Sequence, residues 1–187
     1  MVKLLLALAI AAAPASDGIS AFAGGRVTSP DGKWAVWAAP ADADTERKAA
    51  VARLNGPGVR DRELMRFARE IDVSWPAASD KVLLIQRNAR FAEIYAFTLG
   101  PSEVGVDRIQ SDLDRGMAGR SPKLASIANR RIALGKIGAD TCVLVAESGL
   151  PSERGDGSIV PRRGAFLLDM IERRAMAIDD CPGARID

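Results

Sequence analysis

Three segments of this 187-residue chain open with similar punctuation and run into a strand. The first is Ser29-Pro30-Asp31-Gly32-Lys33-Trp34, continuing into Ala35-Val36. The second is Trp75-Pro76-Ala77-Ala78-Ser79-Asp80-Lys81, continuing into Val82-Leu83-Leu84, and a fainter third covers residues 126–134. Lys33, Lys81 and Arg131 stand 48 and 50 residues apart. A unit recurring at this period is a supersecondary element that cannot bury its apolar face alone, so it must stack on its neighbours. In the turns themselves Pro presets φ and Gly accepts φ > 0.

Between the turns, apolar residues follow strand spacing. Residues 33–38 carry Trp34, Val36 and Trp37, with the two Trp on opposite parity; one is expected in the core, the other covering a sheet or binding a ligand. Residues 49–54 alternate and close on Asn55-Gly56-Pro57-Gly58, while Ile71, Val73 and Trp75 share one face. Residues 81–86 form an unbroken apolar run of buried-strand length, joined through Asn88-Ala89-Arg90 to the alternating segment 92–99. Four more strands are expected at 131–137, 141–146, 165–171 and 175–178, with Glu172-Arg173-Arg174 as the corner of a last hairpin. Ile109, Leu113 and Met117 instead fall at i, i+4 and i+8 and predict one short helix over 109–119, capped by Ser111 or Asp112 and weakened by Gly116. Residues 149–164, with two Pro and four Gly, read as a surface loop. The expected fold is therefore mainly β and antiparallel: about three β-units, near 26–67, 70–109 and 126–178, in one domain over 24–187.

The N-terminus has the order of an export signal. Lys3 precedes ten apolar residues, Leu4 to Ala13, and Ala13-Pro14-Ala15 supplies small residues for a peptidase. Ten residues are too short to span a bilayer, and no later stretch is longer, so no stable membrane span is expected after cleavage. Residues 1–15 are read as the signal peptide, with 23 as the alternative end after Ala21-Phe22-Ala23, so the mature chain starts at Ser16 or Gly24. A periplasmic or secreted location follows. In an oxidising compartment Cys142 and Cys181, the only two cysteines, are expected to form a disulfide. The alternative, a redox or metal-binding pair, has neither a C-x-x-C spacing nor any His to support it.

The residues exclude more chemistry than they suggest. The chain has no His, which removes the commonest general base and the Ser-His-Asp triad. It also lacks a G-x-S-x-G elbow, an S-x-x-K dyad, a P-loop and a G-x-G-x-x-G loop. A formal charge of +2 gives little drive toward nucleic acid. Asp42, Asp44 and Glu46 alternate but lack the Gly and the Glu of an EF-hand, with Arg53 at the latter's place; a solvated loop is the simpler reading. Arg154-Gly155-Asp156 matches an adhesion tripeptide by spelling alone. Arg130-Arg131, Arg162-Arg163 and Arg173-Arg174 are candidate anion contacts or solvated strand edges. No catalytic residue, cofactor or metal site is assigned.

Ser29-Pro30-Asp31-Gly32-Lys33-Trp34 resembles the opening of TolB-like, WD-repeat-like β-propeller blades, and residues 75–84 resemble a degenerate copy. The second copy has Ser79 in place of Gly and places three residues between Pro76 and Asp80. The resemblance implies propeller-blade-like units in which Ser29, Pro30, Asp31, Gly32, Lys33, Trp75, Pro76, Asp80 and Lys81 shape turns and carry no catalytic group. Three units are fewer than the four to eight blades of a closed ring, so an open stack, a propeller fragment or an oligomer is expected. The functional expectation is an exported non-catalytic β-module that binds or packs against an envelope protein. The alternative is a small hydrolase using Asp42, Asp44, Asp179 and Asp180.

Overall fold

The computed structural model describes residues 17–20, 25–40, 50–76, 80–87, 92–100, 104–107, 109–125, 127, 129–138, 140–147 and 162–186. Strand β1 (Asp17–Ser20) precedes a first sheet of β2 (Arg26–Thr28), β3 (Ala35–Pro40), β4 (Ala50–Gly56) and β5 (Val59–Phe67), paired in that order. The middle sheet runs through β6 (Glu70–Ser74), β7 (Lys81–Arg87), β8 (Ala92–Leu99) and β9 (Val104–Asp107). Helices α1 (Gln110–Arg120) and α2 (Pro122–Ala125) then lead to a third sheet of β10 (Arg130–Ile137), β11 (Asp140–Glu147), β12 (Arg163–Asp169) and β13 (Arg174–Ile178). Every pairing is antiparallel. The fold is mainly β, built of three blade-like meanders.

The middle sheet is buried on both faces, and its strands show why. In β7, Val82 and Leu84 join a core shared with the first sheet, whereas Leu83 and Ile85 join a core shared with the third. On β8, Phe97 and Leu99 follow the first pair, and Ile94 and Ala96 follow the second. The register makes the division continuous, since Val82 faces Phe97 and Ile85 faces Ile94. An unbroken apolar run is what a strand needs when both its faces are covered. The first and third sheets share no core cluster among the described residues.

Strand β1 was not anticipated. It pairs with β6, from Asp17 opposite Val73 to Ser20 opposite Glu70, and makes the middle sheet five-stranded. It thereby covers a strand edge that would otherwise present unpaired backbone groups. Residues 1–16 and 21–24, with both candidate cleavage sites, lie outside the described residues, as do Asn88-Ala89-Arg90 and nearly all of 149–164.

Helix α1 runs alongside β13. Asp112 meets Arg173, Gly116 lies against Ala175, and Arg120 donates to the Ile178 carbonyl over 2.7 Å. A Cβ at Gly116 would come within 2.5 Å of the Ala175 oxygen, so the residue that weakens the helix locally is required by its packing. Ile109, Leu113 and Met117 are buried as their spacing implies. The expected cap is corrected: Ile109 is the N-cap and makes no side-chain cap bond, while Ser111 and Asp112 lie inside the helix. The buried Asp112 carboxylate instead accepts from Arg173 at 2.9 Å, tying helix to sheet.

Candidate functional site

The first blade-opening turn is a closed hydrogen-bond circuit. Ser29 Oγ donates to Asp31 Oδ1 over 2.6 Å and accepts from the Trp34 N–H at 3.0 Å. Asp31 Oδ1 also accepts from the Lys33 N–H, and the Ser29 carbonyl accepts from the Gly32 N–H. Gly32 sits at φ +71°, which L side chains rarely adopt. The Ser29 hydroxyl and the Lys33 N–H hold the Asp31 carboxyl below its ordinary pKa. The circuit delivers Trp34 into the core between the first and middle sheets, where its ring lies over Gly56. The Ser29 hydroxyl and Asp31 Oδ1 are thus both engaged within the turn, and Asp31 Oδ2 pairs with Lys33 Nζ.

The second turn behaves differently. Trp75 enters the same core, but beyond it Pro76, Asp80 and Lys81 form one wall of a cleft of about 460 Å³. Asp140 and Thr141, at the start of β11, and the end of β12 with its turn, Asp169 to Ile171, form the other wall. Leu167, Leu168 and Met176 complete the apolar lining. The cleft therefore lies at the junction of the middle and third sheets, with Ile171 on its lining 85% exposed.

Its polar groups divide into spent and available. Asp169 Oδ1 accepts from the Ile171 and Glu172 N–H groups, and Oδ2 accepts from Arg174. Those backbone N–H bonds, from Glu172 foremost, hold its carboxyl below the ordinary pKa. Lys81 Nζ donates to Thr98 Oγ1 over 2.9 Å. Asp80 and Asp140 are exposed, and their carboxylates make no hydrogen bond or ion pair among the described residues. Thr141 is 1% exposed, and its Oγ1 has no hydrogen-bond partner among the described residues. Thr141 shares its face with Val143 and Val145, which pack toward the middle sheet, so its hydroxyl is directed into the junction. A buried hydroxyl without a partner costs about 1–3 kcal/mol.

The outer face of the third sheet is closed by the chain's own tail. Cys142 and Cys181 form the expected disulfide, with Cα atoms 5.6 Å apart. After β13 the tail crosses the sheet to its far edge, where the Lys136 N–H on β10 donates to the Pro182 carbonyl. Leu144, Leu167, Ile178 and Ala184 pack around the disulfide. A Cβ at Gly135 would lie 2.3 Å from the Pro182 oxygen, so the close approach needs glycine there.

The other candidates are placed as follows. Trp37 lies on the face of the first sheet opposite the Trp34 core, between Arg26 and Arg53 in register, and its buried Nε1 has no partner among the described residues. Of the paired arginines, Arg130 binds Asp114, Arg162 binds Glu147, Arg173 binds Asp112 and Arg174 binds Asp169. These four brace the fold, and Arg131 and Arg163 remain exposed on the outer face of the third sheet. Asp180 Oδ1 accepts its neighbour Cys181's N–H in the tail. Asp42, Asp44, Glu46 and Arg154-Gly155-Asp156 lie outside the described residues. Among the described residues no three acidic, Cys or His side chains gather as a metal ion requires, and no helix is long and apolar enough to cross a membrane.

Sequence reasoning reached Pro76, Asp80 and Lys81 through the turn resemblance but gave them no role in a cleft, and it missed Thr141. A Thr opening an apolar strand is the only sequence trace of that site. No protein-family model matches the chain, and no curated protein and no solved structure is similar to it.

Proposed function

We propose that this chain is an exported, non-catalytic β-module, built of degenerate TolB-like or WD-repeat-like blades, that binds an envelope component through the cleft between its middle and third sheets. The observation that carries this reading is the buried, unpartnered Thr141 hydroxyl in a cleft with two uncommitted carboxylates. Natural cores leave few such groups unpaired and each calls for a reason; in this reading the reason at Thr141 is a bond supplied by the partner. The disulfide fits an oxidising compartment. The tail clasped across the third sheet and β1 at the inner edge of the middle sheet both occupy places that ring closure needs, which favours a self-contained module over a propeller fragment.

Export with cleavage after Ala15 retains β1, whereas cleavage after Ala23 removes the strand that pairs with β6. Ser16 is therefore the mature N-terminus of this reading. The test is site-specific photocrosslinking in the cells that make the protein. A probe at Ile171 beside the cleft should capture an envelope component, and one at the exposed Val106 on β9 should not. No adduct from Ile171, together with turnover of any substrate by the purified chain, would overturn the reading.

A further inference from the structure

The tail past β13 is held to the third sheet by little besides its disulfide. Among the described residues its bonds to the rest of the chain are the Cys142–Cys181 bridge and one backbone hydrogen bond, from the Lys136 N–H to the Pro182 carbonyl. Its other hydrogen bonds are internal: the Cys181 N–H donates to Asp180 Oδ1, and the Ala184 N–H donates to the Cys181 carbonyl. Asp179, Asp180, Pro182, Gly183 and Arg185 are exposed, and Cys181 and Ala184 supply the tail's packing around the disulfide. That packing is separate from the core. It lies on the outer face of the third sheet, over Ala165 and the partly buried Leu144, Leu167 and Ile178. The same sheet joins the middle one through its opposite face, by Ile132, Leu134, Val143, Val145, Phe166 and Leu168. Losing the tail therefore removes no side chain from the junction. A lone hydrogen bond and one alanine contact are too little to hold the tail against the chain entropy gained on release.

We propose that the tail is a redox-released strap. Reduction of the Cys142–Cys181 disulfide by a dithiol frees it, opening the β10 edge and the apolar row beneath while the stacked sheets stay folded. In the closed state the sulfurs are shielded: Cys142 is 0% and Cys181 2% exposed. Cys181 Sγ lies over Gly135, where a Cβ would come within 2.7 Å of it. Local opening at the exposed Pro182-Gly183 turn comes first. One thiolate of the dithiol then attacks Cys181 Sγ, forming a mixed disulfide and expelling the Cys142 thiolate. The second thiolate closes the reductant's own disulfide and expels the Cys181 thiolate. Two electrons pass from the dithiol to the cysteine pair, and the protons it loses reach the two thiolates through water. The uncovered β10 edge then presents unpaired backbone groups. This inference stands apart from what the cleft binds.

The test records amide nitrogen–proton correlation spectra of the purified chain, oxidised and after reduction with dithiothreitol. In the reduced protein the amides of Gly183, Ala184 and Arg185 should move to free-chain positions, and Lys136 should lose exchange protection by at least about tenfold. The amides of Leu54 on the first sheet and Ile85 on the middle sheet should keep their positions. Gly135→Ala sets a Cβ 2.3 Å from the Pro182 oxygen, so the strap must lift. Its disulfide should be reduced at least about threefold faster than that of Gly119→Ala, whose Cβ meets nothing within 4 Å. Tail amides unmoved by reduction would overturn the proposal, because the strap would hold without the bond. Loss of the Leu54 and Ile85 signals along with those of the tail would overturn it as well, because the disulfide would then hold the whole fold. Equal reduction rates in the two glycine variants would refute the shielding of the sulfurs by the strap. The spectra of the unsubstituted protein decide the release whether or not Gly135→Ala folds.

Discussion

The junction between the first and middle sheets is filled by Trp34, Phe67, Trp75 and Phe97, and both turns that open onto it feed an indole into the core. The junction between the middle and third sheets is filled by Leu, Ile, Val and Met, with Phe166 its one aromatic among the described residues, and α1 supplies Leu113 and Met117. Large rings fill an intersheet gap without further elements. Aliphatic side chains reach less far, and there the chain adds a helix, yet leaves the cleft at Asp80, Lys81 and Thr141. The polar groups do not divide so simply: Ser29 in the first turn is buried and fully bonded, while Trp75 Nε1 at the first junction and the Thr141 hydroxyl at the second are both buried without a partner among the described residues. One junction is filled by large rings, and the other keeps an open cleft.

The sharpest way to break this comparison is to empty the aromatic junction. Trp34→Ala removes an indole that is 8% exposed, and a large-to-small core change of this kind costs about 3–5 kcal/mol. Urea denaturation of the oxidised chain should show it; a loss below about 1 kcal/mol would mean that the first junction is not the centre of stability. On the other side, Cys142→Ala with Cys181→Ala opens a crosslink of 39-residue separation. The loop-closure estimate for that span is about 4 kcal/mol. Hydrogen exchange should locate the damage, with the Lys136 N–H losing protection as the tail detaches from β10.

A paired substitution tests the polar contrast directly. Ser29→Ala strands the buried Trp34 N–H and should cost about 1–3 kcal/mol. Thr141→Val removes a hydroxyl that bonds to nothing described and should leave stability unchanged or raise it by up to about 1 kcal/mol. Equal losses in both variants would show that Thr141 is satisfied in solution and would remove the contrast.

The smallest expected effect is in pH dependence. Asp72 on β6 is raised above its ordinary pKa of 3.8 by burial, against the pull of Arg87, which donates to it at 2.9 Å. The folded state thus holds the proton more tightly than the unfolded chain. This contribution is full below the unfolded pKa and is lost as pH rises through the raised folded value. Asp31 and Asp169, both lowered, act oppositely: their contribution is present above the ordinary pKa and lost as pH falls through the folded value. Asp72→Asn should flatten the decline on the upper side of the carboxylate range in thermal melts and leave the acid side unchanged.

Particular residues show what could be read early. The run Val82-Leu83-Leu84-Ile85 already specified a strand with both faces buried, because alternation would be needed to keep one face wet. Ile109, Leu113 and Met117 announced a helix with one buried stripe, and reading the N-terminus as an export signal led to the expectation that the two cysteines pair. Strand β1 escaped notice because Asp17–Ser20 has no alternation of its own and follows directly on the apolar run that was read as a signal. Its strand character comes from the open edge of β6. Gly116 read as a weak point in a helix, since nothing local reveals that Ala175 approaches it.

The sequence by itself determined the three β-units, the turns that open the first two, the short helix and the cysteine pair, because each depends on residues that are neighbours in the chain or, for the pair, on there being two cysteines in all. Only the tertiary structure decided that Asp80 and Thr141 line one cleft, that the tail packs on the outer face of the third sheet, and that the middle sheet is covered on both faces. Those outcomes depend on which faces meet across tens of residues, and side-chain periodicity says which face is apolar without saying what will cover it.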